Sequence, residues 1–331
     1  MRIALIIPED TPPTGGNNIS ARRMQLGLTQ EGHEADVMLY QPHIRGYDVY
    51  HAWNATRVGA RLVEDGLSPE QIVTTWTGTD LWQDWVADPV SQRRRLEAIR
   101  YQVVFTHDGR RRLLQDAPDW EDRVMVIPPS VDVQHFQPEG PKADCTHPLL
   151  LAAGGVRPVK RSSWAIDLVD ALRGESGLDY QLAIAGPVRE KGEWDLVVMK
   201  AEGRDWVHLV GDRSREEMPT WYRCADVFLN TSAVEGVSNA IMEAMACGAL
   251  VLVSDIAGNR ALVSPGETGL VFTDQSDFIR QMDYIAGHRR EVDTMRTQAR
   301  RQIVSRHSIR QETQQYARLY ENCLSVRGCC R

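Results

Sequence analysis

The sequence has no long apolar run, no excess of positive charge and few cysteines. Its 331 residues carry 38 Lys and Arg against 45 Asp and Glu, a formal net charge of −7. Because such a chain has no overall basic field, its composition argues against nucleic acid as a partner. No segment approaches the roughly 18 consecutive apolar residues that a membrane span needs, so we expect no stable membrane insertion.

The N-terminus has none of the usual features of a secretory signal. Its apolar run ends at Pro8 and is followed by Glu9 and Asp10, which makes it too short and too acidic for a signal peptide. We therefore expect a cytoplasmic protein. The sequence leaves the oligomeric state open.

The six cysteines are irregularly spaced and include no pair of CxxC motifs. In a cytoplasmic protein this pattern predicts reduced thiols and no metal site. Two of them lie in the tail RGCCR, which we interpret as a frayed end in preference to a metal-binding or oxidisable pair. The six are Cys145, Cys224, Cys247, Cys323, Cys329 and Cys330.

Apolar strand patterns alternate with helical patterns along the whole chain, which predicts an α/β fold of parallel sheets with helices on both faces. One stretch, QPEGPKADCTHP, has three prolines and no apolar periodicity, and it indicates an interdomain linker. We predict an N-terminal Rossmann-like domain over residues 1–143 and a C-terminal one over 144–307. A last helix over 308–331 is expected to pack back on the N-terminal domain.

Ligands of open parallel sheets bind beyond the carboxyl ends of the strands, so the loops that follow strands are the candidates for a site. After the first strand come Gly15 and Gly16, just before a helix. Adjacent glycines allow backbone to approach a ligand, and the helix start offers N–H groups to an anion. The spacing is not GxGxxG, and a plain flexible turn explains it equally well.

After the first strand of the second domain the sequence reads AGGVRPVKRSS, which brings Arg157, Lys160 and Arg161 together. Cations at this position suit a diphosphate, since a guanidinium binds oxygen pairs and an ammonium acts as a point charge. A solvated basic helix start is the alternative. The helix dipole opposes cations there, which favours the phosphate hypothesis.

A third loop carries two glutamates, Glu235 and Glu243, in SAVEGVSNAIMEAMACGALVLVSD. We place Glu235 in the loop and Glu243 inside the helix that begins at about Ser238 or Asn239, both good N-cap residues. The amides from Gly236 through Val237 to Asn239 face the same space. Carboxylates for sugar hydroxyls and N–H groups for phosphate thus share one pocket.

These residues closely resemble the nucleotide-sugar motif of the retaining glycosyltransferases of family 4, also called group 1. The family's two glutamates fall on Glu235 and Glu243, and its glycine-rich tail on Gly258, Gly266 and Gly269. TGGNN, RVMVIPPSVDVQHFQP and GGVRPVKR are further matches. The resemblance implies a GT-B fold, in which two Rossmann-like domains face each other across a cleft, with the N-terminal domain on the acceptor side.

The resemblance also implies roles for the residues. Glu243 would hold the ribose hydroxyls and Glu235 the donor hexose, while Arg157 and Lys160 neutralise the diphosphate as the glycosidic bond breaks. Gly15 and Gly16 would close over the diphosphate from the other domain. The resemblance favours UDP-glucose or UDP-N-acetylglucosamine as the donor, which is a co-substrate. It implies no further cofactor and no metal.

One departure from the family concerns the acceptor side. Many members have a histidine where this chain, in TTWTGTDLW, has Thr77, which cannot act as a general base at neutral pH. Short members that are similar here include selenosugar synthases and glycosyltransferase 1 domain-containing proteins. A small soluble acceptor that arrives already anionic would need no base. Asp80, His51 and His107 are further acceptor candidates, each with a structural alternative: helix capping for Asp80, and a satisfied core or strand-end position for the histidines.

Two other functions share the expected architecture. A sugar-nucleotide epimerase is disfavoured by the two glutamates together with the Arg and Lys pair. A binding or regulatory protein without transfer activity would have no need to keep all four of these residues.

Overall fold

The computed structural model describes residues 1–328 of the chain and the side chains of residues 1–325. Two parallel sheets of six strands each form its frame. The strands are β1 (Arg2–Ile7), β2 (Glu34–Leu39), β3 (Val49–Trp53), β4 (Ile72–Trp76), β5 (Tyr101–Val104), β6 (Val124–Val126), β7 (Leu149–Ala153), β8 (Gln181–Ala185), β9 (Val207–Gly211), β10 (Val227–Asn230), β11 (Leu250–Ser254) and β12 (Leu270–Phe272).

Helices separate nearly all of these strands, as the alternating pattern predicts. They are α1 (Gly16–Gln30), α2 (Ala60–Glu64), α3 (Trp85–Ala87), α4 (Pro89–Leu96), α5 (His107–Asp116), α6 (Ser162–Ser176), α7 (Lys191–Ala201), α8 (Met218–Cys224), α9 (Asn239–Ala246), α10 (Ala257–Arg260), α11 (Gln275–Gly287), α12 (Arg289–Arg306) and α13 (Ile309–Gly328). None of these helices is long and apolar enough within residues 1–328 to cross a membrane.

The chain divides into two compact units. Unit 1 comprises Met1–Ser130 and Arg306–Arg331, and unit 2 comprises Val131–Ser305. The sequence-based boundary after residue 143 thus differs from the structural division, because residues from Val131 onward already pack in the core of the second unit, as the burial of Val131 and Phe136 shows. The last helix belongs to unit 1.

Unit 1 is built on a sheet with strand order β2-β1-β3-β4-β5-β6. Residues 3–7 of β1 are all buried, because strands of a covered parallel sheet face apolar layers on both sides. The helix α13 contributes two fully buried tyrosines, Tyr316 and Tyr320, to the core cluster that contains β1 and α1 side chains. This tie explains why the C-terminal helix belongs to unit 1.

Unit 2 has the strand order β12-β11-β10-β7-β8-β9. From β7 the chain moves outward through β8 and β9, then returns to β10 on the other side of β7 and moves outward again. The order therefore reverses between β7 and β10, whose register pairs Val227 with Leu150 and Phe228 with Leu151. Such a reversal opens a crevice at the carboxyl ends of the two strands.

The same pairing brings the amino ends of β7 and β10 together, and it places Cys145 next to Cys224. The two residues form a disulfide although 79 positions separate them in the sequence. The prediction of reduced thiols is therefore wrong for this pair. Cys247 and Cys323 are buried free thiols. The tail cysteines Cys329 and Cys330 lie outside the described residues.

Candidate functional site

The reversal between β7 and β10 brings together the two loops that carry the predicted charged residues. The loop after β7 holds Arg157 and Lys160, and the loop after β10 holds Glu235. The backbones of the two loops are joined directly, since Ala233 N donates to Val159 O at 2.8 Å. Strand order alone therefore turns residues 75 positions apart into neighbours.

Lys160 and Glu235 form an ion pair between Nζ and Oε1. Two further donors converge on the same oxygen: Ser232 Oγ at 2.7 Å and Asn230 Nδ2 at 3.4 Å. The Glu235 side chain is only 9% exposed and that of Lys160 19%. Among residues 1–325 all of these bonds fall on Oε1, which leaves Oε2 to accept a hydrogen bond from a ligand.

The Glu235 carboxylate is held ionised. Burial raises its pKa, but the Lys160 ammonium and the donors Ser232 and Asn230 lower it by more, so that the pKa lies below its usual range. An ionised, largely desolvated carboxylate beside an ammonium is a strong acceptor of hydroxyl hydrogens. The ammonium at the same time supplies a fixed positive charge at the crevice.

Arg161, the third predicted cation, has a structural role. Its guanidinium donates from Nε to Thr231 O at 2.6 Å and from Nη2 to Ser232 O at 3.0 Å. It also lies over the Trp164 ring, 4.4 Å from the centroid. Arg161 therefore fixes the β10 loop against the start of α6, and its spacing from Lys160 alone does not indicate that this cation binds main-chain carbonyls.

Arg157, in the same loop, is available to bind an anionic ligand. It is partly buried, and its guanidinium makes no hydrogen bond or ion pair with any side chain or backbone group within residues 1–325. The guanidinium of Arg189, in the loop after β8, lies close enough to interact electrostatically with it. Burial lowers the pKa of Arg189, Asp212 raises it and Arg157 lowers it. Sequence reasoning missed Arg189, although its position after a strand was a usable signal.

Glu243 is the fifth residue of the eight-residue helix α9, which follows the Glu235 loop. Its Oε2 accepts a hydrogen bond from Tyr222 Oη at 2.8 Å. Helix α9 begins at Asn239 with Ser238 at the N-cap, as predicted, but the Ser238 hydroxyl makes no capping bond. The first amides of α9 have no partner within the helix, so they can serve an anion.

Gly258 fixes the back of the Glu235 loop. A Cβ added at this position would lie 2.3 Å from Glu235 O and 2.8 Å from Glu235 Cβ, so any side chain would displace the loop. Next to it, the buried Asn259 donates from Nδ2 to Asn230 Oδ1 at 3.1 Å. Helix α10 thereby positions both the Glu235 backbone and one donor to its carboxylate.

The two candidate glycines of unit 1 lie at the start of a helix, directly after the loop that follows β1. Gly15 is the N-cap of α1 and Gly16 its first residue, in the loop that follows β1. A Cβ at Gly15 would lie 3.0 Å from Pro12 O and from Thr11 Cγ2, so a tight turn accounts for this glycine.

Two of the acceptor candidates are structural residues. His51 lies inside β3, is fully buried, and bonds to Tyr320 Oη at 2.6 Å and to Thr75 Oγ1 at 2.7 Å. Burial lowers its pKa to about 3, so the ring is neutral at physiological pH. Of the two interpretations of His51, the structure supports a core histidine whose two ring nitrogens are both hydrogen-bonded.

Asp80 is likewise buried and saturated. Its two oxygens accept from the amides of Thr77, Gly78 and Leu81, and from Ala55 across the neighbouring loop at 2.9 Å. Burial raises its pKa to about 6, against the lowering effect of these four amides. Asp80 ties the loops after β3 and β4 together, and it has no position from which to bind an acceptor.

Thr77 and His107 remain at the carboxyl edge of the unit 1 sheet. Thr77 is partly buried directly after β4, and His107 is exposed as the first residue of α5, after β5. The part of the chain that the structure describes contains no group of three or more His, Cys, Asp or Glu residues arranged to hold a metal ion.

Comparison with known proteins agrees with this geometry. Residues 147–288, most of unit 2, match the family model described as glycosyl transferases group 1. The chain also superposes on the crystal structure of HepE from Anabaena in complex with UDP and glucose, with a TM-score of 0.76 over 97% of this chain and 100% of that one, at 16% identity. The chain has the GT-B fold, and residues 147–288 are similar to group 1 glycosyltransferases.

Two curated glycosyltransferases are similar to this chain in sequence. Glycosyltransferase 1 domain-containing protein 1 from Xenopus tropicalis is 27% identical over 243 residues, which cover 70% of each chain. A D-inositol 3-phosphate glycosyltransferase from Pseudarthrobacter chlorophenolicus is 28% identical over 256 residues, covering 70% of this chain and 60% of that protein. The matched region thus spans less than two thirds of the latter relative.

Proposed function

We propose that the protein transfers a hexose from a UDP-linked sugar, UDP-glucose or UDP-N-acetylglucosamine, to a small, soluble, anionic acceptor, with retention of configuration and without a metal. The observation that carries the proposal is the Lys160–Glu235 pair at the strand reversal of unit 2. It combines a cation for a leaving diphosphate with a carboxylate for sugar hydroxyls in one crevice.

The cations account for the chemical step. When the glycosidic C–O bond breaks, negative charge grows on the diphosphate and positive charge on the sugar ring. Lys160 and Arg157 neutralise the diphosphate, and because Glu235 holds Lys160 in place beforehand, this ammonium stabilises the transition state more than the bound donor. The two cations supply the charge that a divalent metal supplies in other transferases, which is the basis for proposing metal independence.

The two glutamates account for donor recognition. Glu235 Oε2 accepts from hydroxyls of the hexose, while Oε1 is occupied by Lys160, Ser232 and Asn230. Glu243, one helix turn into α9, binds the ribose hydroxyls, and its bond with Tyr222 keeps it in place. The preference for UDP is supported by the Anabaena protein, whose structure contains UDP and glucose. The anionic acceptor is supported by the inositol 3-phosphate in the name of the second relative.

Donor binding tests the proposal. Calorimetric titration with UDP, GDP, ADP and their common sugars is expected to show binding of one UDP-sugar, and Glu243→Ala is expected to weaken it at least tenfold by removing the acceptor for the ribose hydroxyls. Glu175→Ala is the matched control, because Glu175 is an exposed glutamate of the same unit and lies in the last turn of α6. Equal affinities of wild type and Glu243→Ala, or no binding of any nucleotide sugar, would contradict the proposal.

Thr77→His tests the proposed anionic acceptor. A histidine at this position adds a general base that an acceptor already carrying negative charge does not need, but that a neutral hydroxyl acceptor does. We expect the variant to gain activity toward neutral acceptors relative to anionic ones. The ratio of kcat/KM for matched phosphorylated and unphosphorylated acceptors measures the effect, and an unchanged ratio would refute the acceptor hypothesis while leaving donor binding untouched.

A further inference from the structure

A second cluster of reactive side chains lies at the opposite ends of the two strands that form the proposed donor site. Cys145 and His147 lie in the short segment before β7, and Cys224 and Asp226 lie in the last residues before β10. Since each strand has four or five residues, this cluster is roughly 15 Å from the donor crevice along the strands. Neither the proposed transfer reaction nor donor binding uses any of the four residues.

The four side chains form a connected series. His147 Nδ1 lies 2.7 Å from Asp226 Oδ2, and His147 Nε2 lies 3.9 Å from Cys224 Sγ, which is bonded to Cys145. Asp226 Oδ2 is fixed in turn by the Leu149 amide at 2.8 Å. A carboxylate that accepts the Nδ1 proton directs the other ring nitrogen toward the sulfur, where it can exchange a proton with a thiol.

The two cysteine residues differ in exposure. Cys224 is 3% exposed, whereas Cys145 is partly exposed on the segment before β7. A small thiol can therefore reach Cys145, while Cys224 stays covered beside His147. This asymmetry assigns the attacked sulfur to Cys145 and the leaving sulfur to Cys224.

The backbone keeps the two cysteines close when the bond between them opens. Arg223, the neighbour of Cys224, donates from Nε to Gln137 O at 2.8 Å and from Nη1 to Pro141 O at 3.1 Å. Ala143 N also donates to Thr220 O at 3.0 Å. These bonds hold the segment before β7 on α8 independently of the sulfurs, so the disulfide can open and close without rearrangement of the unit.

We propose that Cys145, Cys224, His147 and Asp226 form a thiol–disulfide exchange site for small thiols. A thiol RSH gives its proton to His147 Nε2 and attacks Cys145 Sγ as the thiolate. The Cys145–Cys224 bond breaks, and the electron pair passes to Cys224 Sγ, which takes that proton from His147. A second RSH attacks the R sulfur of the mixed disulfide as its thiolate and releases RSSR, and the departing Cys145 sulfur takes the proton that this RSH lost. Two electrons pass from two thiols to the protein disulfide, and the reverse reaction with RSSR closes it.

The test uses the full chain with Cys329→Ser and Cys330→Ser, so that thiols outside the described residues do not exchange. The protein is treated with reduced glutathione, quenched with acid and alkylated at timed intervals, and each cysteine is assigned by peptide mass. We expect Cys145 and Cys224 to become alkylated together, with the transient glutathione adduct on Cys145. Cys247 and Cys323 are expected to stay unmodified in the native protein, since burial raises the pKa of each thiol to about 12.

The His147→Gln and Asp226→Asn variants test the proton transfer. Each is expected to slow reduction by glutathione by about tenfold, because the leaving Cys224 sulfur then lacks its proton donor or the donor lacks its orientation. His208→Gln is the matched control, since His208 bonds to Gln181 on β8 and is expected to react at the parental rate. Thermal unfolding of each variant tests whether the fold is intact. If His147→Gln does not fold, Asp226→Asn provides the test, because it keeps a side-chain oxygen for the Leu149 amide.

The outcomes separate the proposal from its alternatives. An adduct on Cys224, reduction of both variants at the parental rate, or absence of the Cys145–Cys224 bond under oxidised glutathione would each overturn it. Because the measurement follows sulfur chemistry and needs no nucleotide sugar, its result is independent of the proposed transferase activity.

Discussion

Lys160→Met is expected to lower the rate of transfer at saturating donor by about 10²- to 10³-fold, which corresponds to a loss of roughly 3–4 kcal/mol of transition-state stabilisation. Lys160 is the ammonium that the structure places at the strand reversal, in contact with Glu235 Oε1. Methionine keeps the apolar stem but removes the charge that balances the departing diphosphate. Steady-state kinetics with the donor found by calorimetry measures the effect, and we expect KM for the donor to change less than kcat.

The same substitution leaves the Glu235 carboxylate buried without its counterion, which destabilises the fold as well. The double variant Lys160→Met, Glu235→Gln separates the two effects. It is expected to recover most of the thermal stability, because no buried charge remains, while activity stays low. Lys191→Ala is the control for a cation elsewhere in unit 2, since Lys191 is 85% exposed. Recovery of activity in the double variant would refute the catalytic role of Lys160.

Gly258→Ala is expected to weaken donor binding at least tenfold and to destabilise the protein by about 1–3 kcal/mol. The added methyl carbon would lie 2.3 Å from Glu235 O and 2.7 Å from Glu235 C, both backbone atoms that cannot move away as a flexible side chain can. The Glu235 loop must therefore shift, and its carboxylate moves with it. Calorimetry with the donor and chemical denaturation measure the two effects.

Gly174→Ala is the matched control for that substitution. Gly174 lies in α6, and a Cβ there would meet no atom within 4 Å. Alanine at this helical position is expected to leave donor binding unchanged and to stabilise the helix by up to about 1 kcal/mol. If Gly258→Ala binds donor as tightly as Gly174→Ala does, the close packing of α10 on the Glu235 loop is not what positions the carboxylate.

Most of the fold follows from local sequence patterns. The apolar runs RIALII and LVLVS could be assigned to β1 and β11 because a strand in a covered parallel sheet is apolar on both faces, a property that neighbouring residues alone display. The N-cap of α9 at Ser238 was predictable for the same reason, since a helix start depends on a few adjacent residues.

The roles of several polar residues could not be predicted, because they depend on neighbours that are distant in the sequence. His51 comes from an apolar strand and looks like a site residue until Tyr320, from the last helix, is seen to bond its ring. Asp80 looks like a helix cap until Ala55 is seen to donate to it from another loop. Arg161 belongs to the same basic run as Lys160, yet its guanidinium binds the carbonyls of Thr231 and Ser232.

The sequence by itself determined the alternation of strands and helices, the loops at which chemistry was expected, and the charged residues Arg157, Lys160, Glu235 and Glu243. Only the tertiary structure decided which of those loops meet. The reason is physical: periodicity and capping are local properties, whereas the order of strands in a sheet is set by packing of the whole unit. That order placed Lys160 against Glu235 at one end of β7 and β10, and Cys145 against Cys224 at the other.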